Sequence, residues 1–232
     1  MPLFIMNEIR KKILIDSQKY YFQEAKNRIL SNFGDIEKDA ENAQEEWLRN
    51  NAYHFDDPAD CYENALDYSV EFYIRLNELK RRTYLSVLSD MFFEWDKKLR
   101  KIHIDIVRCY FQSEKLEKAI WEQSFNKLMD LFLVYGWNIN SEIREQLYKY
   151  SLVVNVFKHG EGTSFNELIK NYGELFEQGE LSFPRPDGLW VKDADLNTLS
   201  DTIIHFWTDI PQELPDKDDY SFPHWFEKCF DN

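Results

Sequence analysis

Cysteine is scarce in this chain: Cys61, Cys109 and Cys229 are far apart and odd in number. No CxxC pair exists, which speaks against a disulfide framework or a zinc knuckle and suits a reducing compartment. Long apolar runs are also missing. No stretch of about 18 uncharged apolar residues occurs, so no membrane span is expected. The apolar start, Met1 to Met6, is short, and Arg10, Lys11 and Lys12 follow it, the reverse of a signal-peptide order. A cytoplasmic location is therefore expected. Positive charge is the third shortage. There are 28 Lys plus Arg against 42 Asp plus Glu, a net charge of −14. Direct nucleic-acid binding depends on Lys and Arg contacts to phosphate and is not expected of such a chain, whereas attraction of a basic protein is.

Glycine and proline number seven each, and their placement divides the sequence. Between Leu3 and Phe183 the only proline is Pro58, and before Gly136 the only glycine is Gly34. So long a stretch without breakers argues for helices. After Phe183 come Pro184, Pro186, Pro211, Pro215 and Pro223. The expected fold is all-α: a multi-helix bundle over 1–178, with a small extension over 179–232 built from a loop or hairpin plus a helix and packed on the bundle.

Apolar spacing places the elements. A first helix is expected from about Phe4 to Ser31, and a second from the N-cap Asp35 to about Asn51. Asp57-Pro58 opens a third, whose stripe is Ala65, Tyr68, Phe72 and Leu76. A fourth begins near Arg81 and carries Tyr84, Val87, Met91, Trp95, Leu99, Ile102 and Ile106. A fifth spans about Ser113 to Tyr135, a sixth runs from Asn140-Ser141 to Gly160, and a seventh covers Ser164 to Phe176. Turn chemistry between Ser182 and Val191 precedes a helical pattern from Asp195 to Asp209. The basic runs Lys80-Arg81-Arg82 and Lys97 to Lys101 read as solvated faces.

Polar, chemistry-capable side chains gather at the end of the sixth helix, in Asn155-Val156-Phe157-Lys158-His159-Gly160. Asn155 and His159 lie one turn apart on one flank, among Leu152, Val153, Val154 and Phe157, which predicts a buried Asn155. Two readings stand side by side. In one, Asn155, Lys158 and His159 form a catalytic site, with His159 exchanging protons. In the other, Asn155 is a structural hydrogen-bonder, His159 sits at a helix C-terminus and Gly160 is a left-handed cap. The other histidines, His54, His103, His205 and His224, lack a second ligand at metal spacing. Gly-rich phosphate loops, nucleophile elbows and HExxH are absent from the sequence, so neither metal nor cofactor is expected.

The run Asn155-x-x-Lys158-His159-Gly160-x-Gly162 resembles the catalytic end of HEPN-type helical domains, many of which are metal-independent ribonucleases of bacterial conflict systems. Asn155 and His159 stand at the polar and histidine positions of that motif, but Val154 stands where the family places its arginine. The resemblance implies a HEPN-like bundle with a degenerate motif, and Val154 removes the cation that would steady a scissile phosphate. The segment Trp95-Asp96-x-x-Leu99-Arg100 also resembles a signature of large helical bacterial proteins that share the Lys-His-Gly feature. By class and charge, the chain is similar to the helical immunity proteins of contact-dependent inhibition systems.

From Gly160 onward there are 16 Asp plus Glu against 5 Lys plus Arg, a net of −11 that leaves −3 for the first 159 residues. In the tail, Glu213, Asp216, Asp218 and Asp219 alternate with rings such as Tyr220 and Trp225. This composition suits a surface where acids steer a basic partner and rings anchor it. The expectation is thus a toxin-neutralising immunity or antitoxin protein. It would occlude a basic toxin, a nuclease, through Glu213, Asp216, Asp218, Asp219, Tyr220 and Trp225, with a homodimer left open. The alternative is a HEPN-type endoribonuclease using Asn155, Lys158 and His159.

Overall fold

The computed structural model describes residues 4–109, 111, 113–176, 184–214 and 221–229. Its architecture is an all-α multi-helix bundle. The helices are α1 (Glu8–Arg28), α2 (Ile36–Asn51), α3 (Pro58–Arg108), α4 (Glu114–Glu122), α5 (Phe125–Val134), α6 (Ser141–His159), α7 (Thr163–Tyr172), α8 (Asp193–Asp209) and the short α9 (His224–Glu227). Two-residue strands, β1 (Phe4–Ile5) and β2 (Glu213–Leu214), pair antiparallel near the chain ends. No helix among the described residues is long and apolar enough to cross a membrane. The chain divides into two compact units, Met1–Phe22 with Leu88–Asn232, and Gln23–Val87.

Several helix ends follow from side-chain chemistry. The Asp35 carboxylate accepts the backbone N–H of Lys38 at 3.1 Å, and Asn140 accepts that of Glu142 at 2.8 Å. Each satisfies a donor that a helix start leaves orphaned. Pro58 occupies the first position of α3, where its missing N–H costs nothing. The structure corrects three expected boundaries. α1 begins at Glu8, because Phe4–Ile5 pair instead with Glu213–Leu214, and the Met6 N–H donates to the Gln212 carbonyl at 2.7 Å. The expected third and fourth helices are one 51-residue helix, α3. Asn77 to Lys80 contain no breaker, and across that stretch the Arg81 fork donates to both Glu78 oxygens at 2.7 and 2.6 Å. Arg81 is buried, so its run is not wholly a solvated face. The expected fifth helix is two, parted at Gln123 and Ser124, both extended. The stripe Leu116, Ile120 would continue at 123, 124 and 127, which are Gln, Ser and Lys, so a continuous helix would present polar residues to the core.

That break leaves carbonyls at the end of α4 without helical partners. Arg100 on α3 supplies donors: its Nη1 lies 2.7 Å from the Ile120 carbonyl and 2.9 Å from that of Trp121, while its Nε donates to Asp96 at 2.7 Å. Trp95 and Leu99, beside this pair in sequence, are fully buried. The Trp95-Asp96-x-x-Leu99-Arg100 segment is therefore a packing and clamping device in this fold.

The core of the larger unit is aromatic. Phe206 of α8 meets Trp95 edge-on at 5.3 Å and lies 5.9 Å from Phe132, 5.1 Å from Trp137 and 5.0 Å from Trp207. α6 runs alongside with Leu147, Tyr150, Val153 and Val154 buried. Leu189 and Trp190 pair back onto the end of the α7 region: Phe176 and Leu189 form an antiparallel bridge, and the Trp190 N–H donates to Leu175 at 2.7 Å.

The smaller unit has a thin core. Ile36, Ala40, Cys61, Ala65, Tyr84 and Leu85 are among its buried residues, whereas Trp47, Phe72 and Leu76 are half-buried and Tyr68 is exposed.

Candidate functional site

The end of α6 is set by Gly160, which has φ 71 and ψ −129 and donates its N–H to Val156 at 2.8 Å. Positive φ is present, but ψ is not that of the left-handed helix expected of the cap. A Cβ added at Gly160 meets nothing within 4 Å, so substitution there is opposed by backbone conformation alone. Gly160→Ala is expected to lower stability by about 1–3 kcal/mol, read as a lower urea midpoint at unchanged slope.

Asn155, Lys158 and His159 are all exposed, while Val154 is buried. The expected burial of Asn155 is corrected. Its neighbours pack into the bundle, but its own flank faces the first turn of α7, where its Nδ2 reaches the Ser164 hydroxyl at 3.5 Å. The Lys158 ammonium sits 3.7 Å from the centre of the Phe93 ring, a cation–π contact that holds it against α3. The aliphatic side chain at the motif's arginine position faces the core. The structure thus places Asn155 and His159 together at an accessible helix end, with Lys158 turned to a ring.

Of the expected partner-binding residues, Glu213 lies exposed on β2 and Trp225 is half-buried on α9, 5.7 Å from Phe226. Asp216, Asp218, Asp219 and Tyr220 lie outside the described residues. Among the described residues no group of three His, Cys, Asp or Glu is arranged to hold a metal ion.

A second acidic surface was hidden in the sequence by averaging. Residues 35–79 hold 13 Asp plus Glu against 3 Lys plus Arg, a net of −10. The rest of the first 159 residues carries +7, so the sum of −3 conceals it. This segment makes up most of the smaller unit. Of the fourteen large hydrophobics exposed among the described residues, nine belong to that unit, including Tyr62, Leu66, Val70, Tyr73 and Ile74 on α3. Their 4-4-3 and 4-4-4 spacing gathers them on one helix face, and Glu63, Asp67 and Glu71 form the adjoining row. Apolar side chains fenced by carboxylates are the composition of an interface for a basic protein.

A groove lies between α2 and the first half of α3, with a volume of about 660 Å³. Asp39, Asn42, Glu46 and Asn50 line it from α2, and Tyr68, Phe72 and Leu76 from α3. Trp47 lies between the two, 6.5 Å from Tyr68 and 5.8 Å from Phe55. Periodicity had marked Tyr68, Phe72 and Leu76 as a buried stripe. The polar row on α2 has its own 3-4-4 spacing, and that was the signal available in the sequence.

The fold defines an all-α multi-helix bundle. No protein-family model, curated protein or solved structure matches the chain.

Proposed function

We propose that this chain is a cytoplasmic immunity or antitoxin protein of HEPN-like descent that binds a basic toxin, a nuclease, and covers its working surface. The observation that supports this most is the smaller unit, where a net of −10 over residues 35–79 coincides with eight exposed large hydrophobics in the same segment. Carboxylates at that density raise the encounter rate with a basic protein, and exposed rings and aliphatics then hold it once water is expelled. The cations a nuclease uses to grip phosphate are the groups such a surface would pair with.

The second reading, an endoribonuclease, draws on the exposure of Asn155 and His159 one turn apart at an accessible helix end. One experiment separates the two. The chain is produced alone and together with each polypeptide encoded beside its gene. Neutralisation predicts that one neighbour is basic, arrests growth alone, co-purifies with this chain and loses toxicity in its presence. If this chain itself arrests growth and cleaves RNA, and His159→Ala abolishes both, the ribonuclease reading replaces it.

A further inference from the structure

The geometry points to the groove between α2 and the first half of α3 as the docking slot for a basic amphipathic helix of the partner protein. This deepens the binding reading above by naming the contact face and the chemistry of what fills it.

The two walls of the groove are unlike. α2 presents Asp39, Asn42, Glu46 and Asn50, all exposed, at the 3-4-4 spacing of one helix face. Among the described residues neither Asp39 nor Glu46 has an ion-pair partner, so both carboxylates are open to a cation. Opposite them, Tyr68, Phe72 and Leu76 form an apolar wall at 4-4 spacing, and Trp47 supplies a broad ring between. An occupant must therefore offer cations along one edge and apolar groups along the other.

Length selects a helix over a single side chain or a small organic cation. From Asp39 to Asn50 the polar row rises about 16 Å, three turns of helix. Lys or Arg at i, i+3 and i+7 of a helix lying along α2 repeat with that same period, while its Leu or Ile positions face Tyr68 and Phe72. Arg and Lys can also stack on Trp47. Charge selects against the other macromolecules. A second copy brings its own net of −10 over the same segment, and nucleic acids and anionic membranes are repelled likewise.

The test uses the full chain and a labelled synthetic peptide of about 18 residues, with Lys on one helical face and Leu and Ala on the other. Its control is a scrambled peptide of the same composition. Fluorescence anisotropy is expected to show the amphipathic peptide binding at least tenfold tighter than the scramble, with affinity falling as salt rises. Asp39→Lys combined with Glu46→Lys, both at exposed positions, is expected to cut that affinity at least tenfold while circular dichroism stays unchanged. Equal binding of both peptides, or undiminished binding by the double variant, overturns the proposal. So does a dimer of this chain that the double variant dissolves, or displacement of the peptide by spermidine bound as tightly as the peptide itself. The double variant is also carried into the co-production assay. If it still neutralises a neighbour-encoded toxin, the groove is not the contact face and the neutralising function stands. If no neighbour is neutralised while the peptide results hold, the function falls and the groove stands.

Discussion

Replacing Phe206 by alanine is expected to destabilise the larger unit by about 4 kcal/mol, in the middle of the range that deletion of a buried ring costs. The ring is fully buried and touches four others, Trp95, Phe132, Trp137 and Trp207, at centroid distances of 5.0 to 5.9 Å. Its loss removes apolar burial, leaves a cavity walled by stiff rings that cannot readily collapse inward, and deletes edge-to-face pairing with Trp95, which is itself worth about 1 kcal/mol. Phe206→Leu keeps most of the volume and is expected to cost about half as much. Urea unfolding followed by tryptophan emission reads the difference directly, because three of the ring's four neighbours are Trp side chains. A loss below about 1 kcal/mol for Phe206→Ala would mean that α8 is not seated among α3, α5 and α6 as described.

That seat was only partly legible in the sequence. The 3.6-residue period of Leu196, Leu199, Ile203 and Phe206 announces a helix with one apolar face, but it does not say what the face meets. Local rules performed best where a single side chain does the work, as at Asp35, Pro58 and Asn140. They failed where the deciding partner is distant. Phe4 and Ile5 read as the start of a helix because their partners, Leu214 and Glu213, lie at the other end of the chain. The break at Gln123 and Ser124 depends on Arg100, about twenty residues away, which satisfies the carbonyls that the break exposes.

The candidate binding surface was missed for a different physical reason. An apolar stripe with helical period is normally a buried stripe, and Tyr62, Leu66, Val70 and Ile74 have that period. In the structure the small residues Cys61, Ala65 and Ser69 are the buried ones on this part of α3, and the large ones are exposed. Charge misled in a complementary way. A net taken over 159 residues cancels the acids of α2 and early α3 against the bases of α1 and later α3. A window the length of one helical hairpin would have exposed them. The Asn155-His159 pair shows the converse: its place on one flank was legible from spacing, while its exposure was not.

Acidification from pH 7 to pH 5 is expected to cost the larger unit roughly 2 kcal/mol through His103 alone. His103 is fully buried on α3, with Phe132 4.3 Å and Tyr135 5.7 Å from its ring. Burial pushes its pKa down to about 3, and the nearby Arg100 charge pushes the same way, with the Leu128 main chain opposing. Arg100 is held in place by Asp96 and by two α4 carbonyls, so it cannot withdraw to accommodate a second positive charge. The folded state therefore keeps the imidazole neutral, while the unfolded chain protonates it below the ordinary value of 6.5. The stabilisation is complete above that value and is lost progressively as pH falls toward 3, because the unfolded state binds the extra proton. His103→Phe removes the proton site and keeps a ring against Phe132. Any packing cost of the larger ring shifts both ends of the titration alike, so the informative quantity is the slope of stability against pH. The other four histidines are exposed. The variant is expected to show a flatter slope between pH 7 and pH 5 than the parent. Parallel slopes would show that water or a proton reaches His103 in the folded protein, and that the ring layer formed by Phe132 and Tyr135 is open.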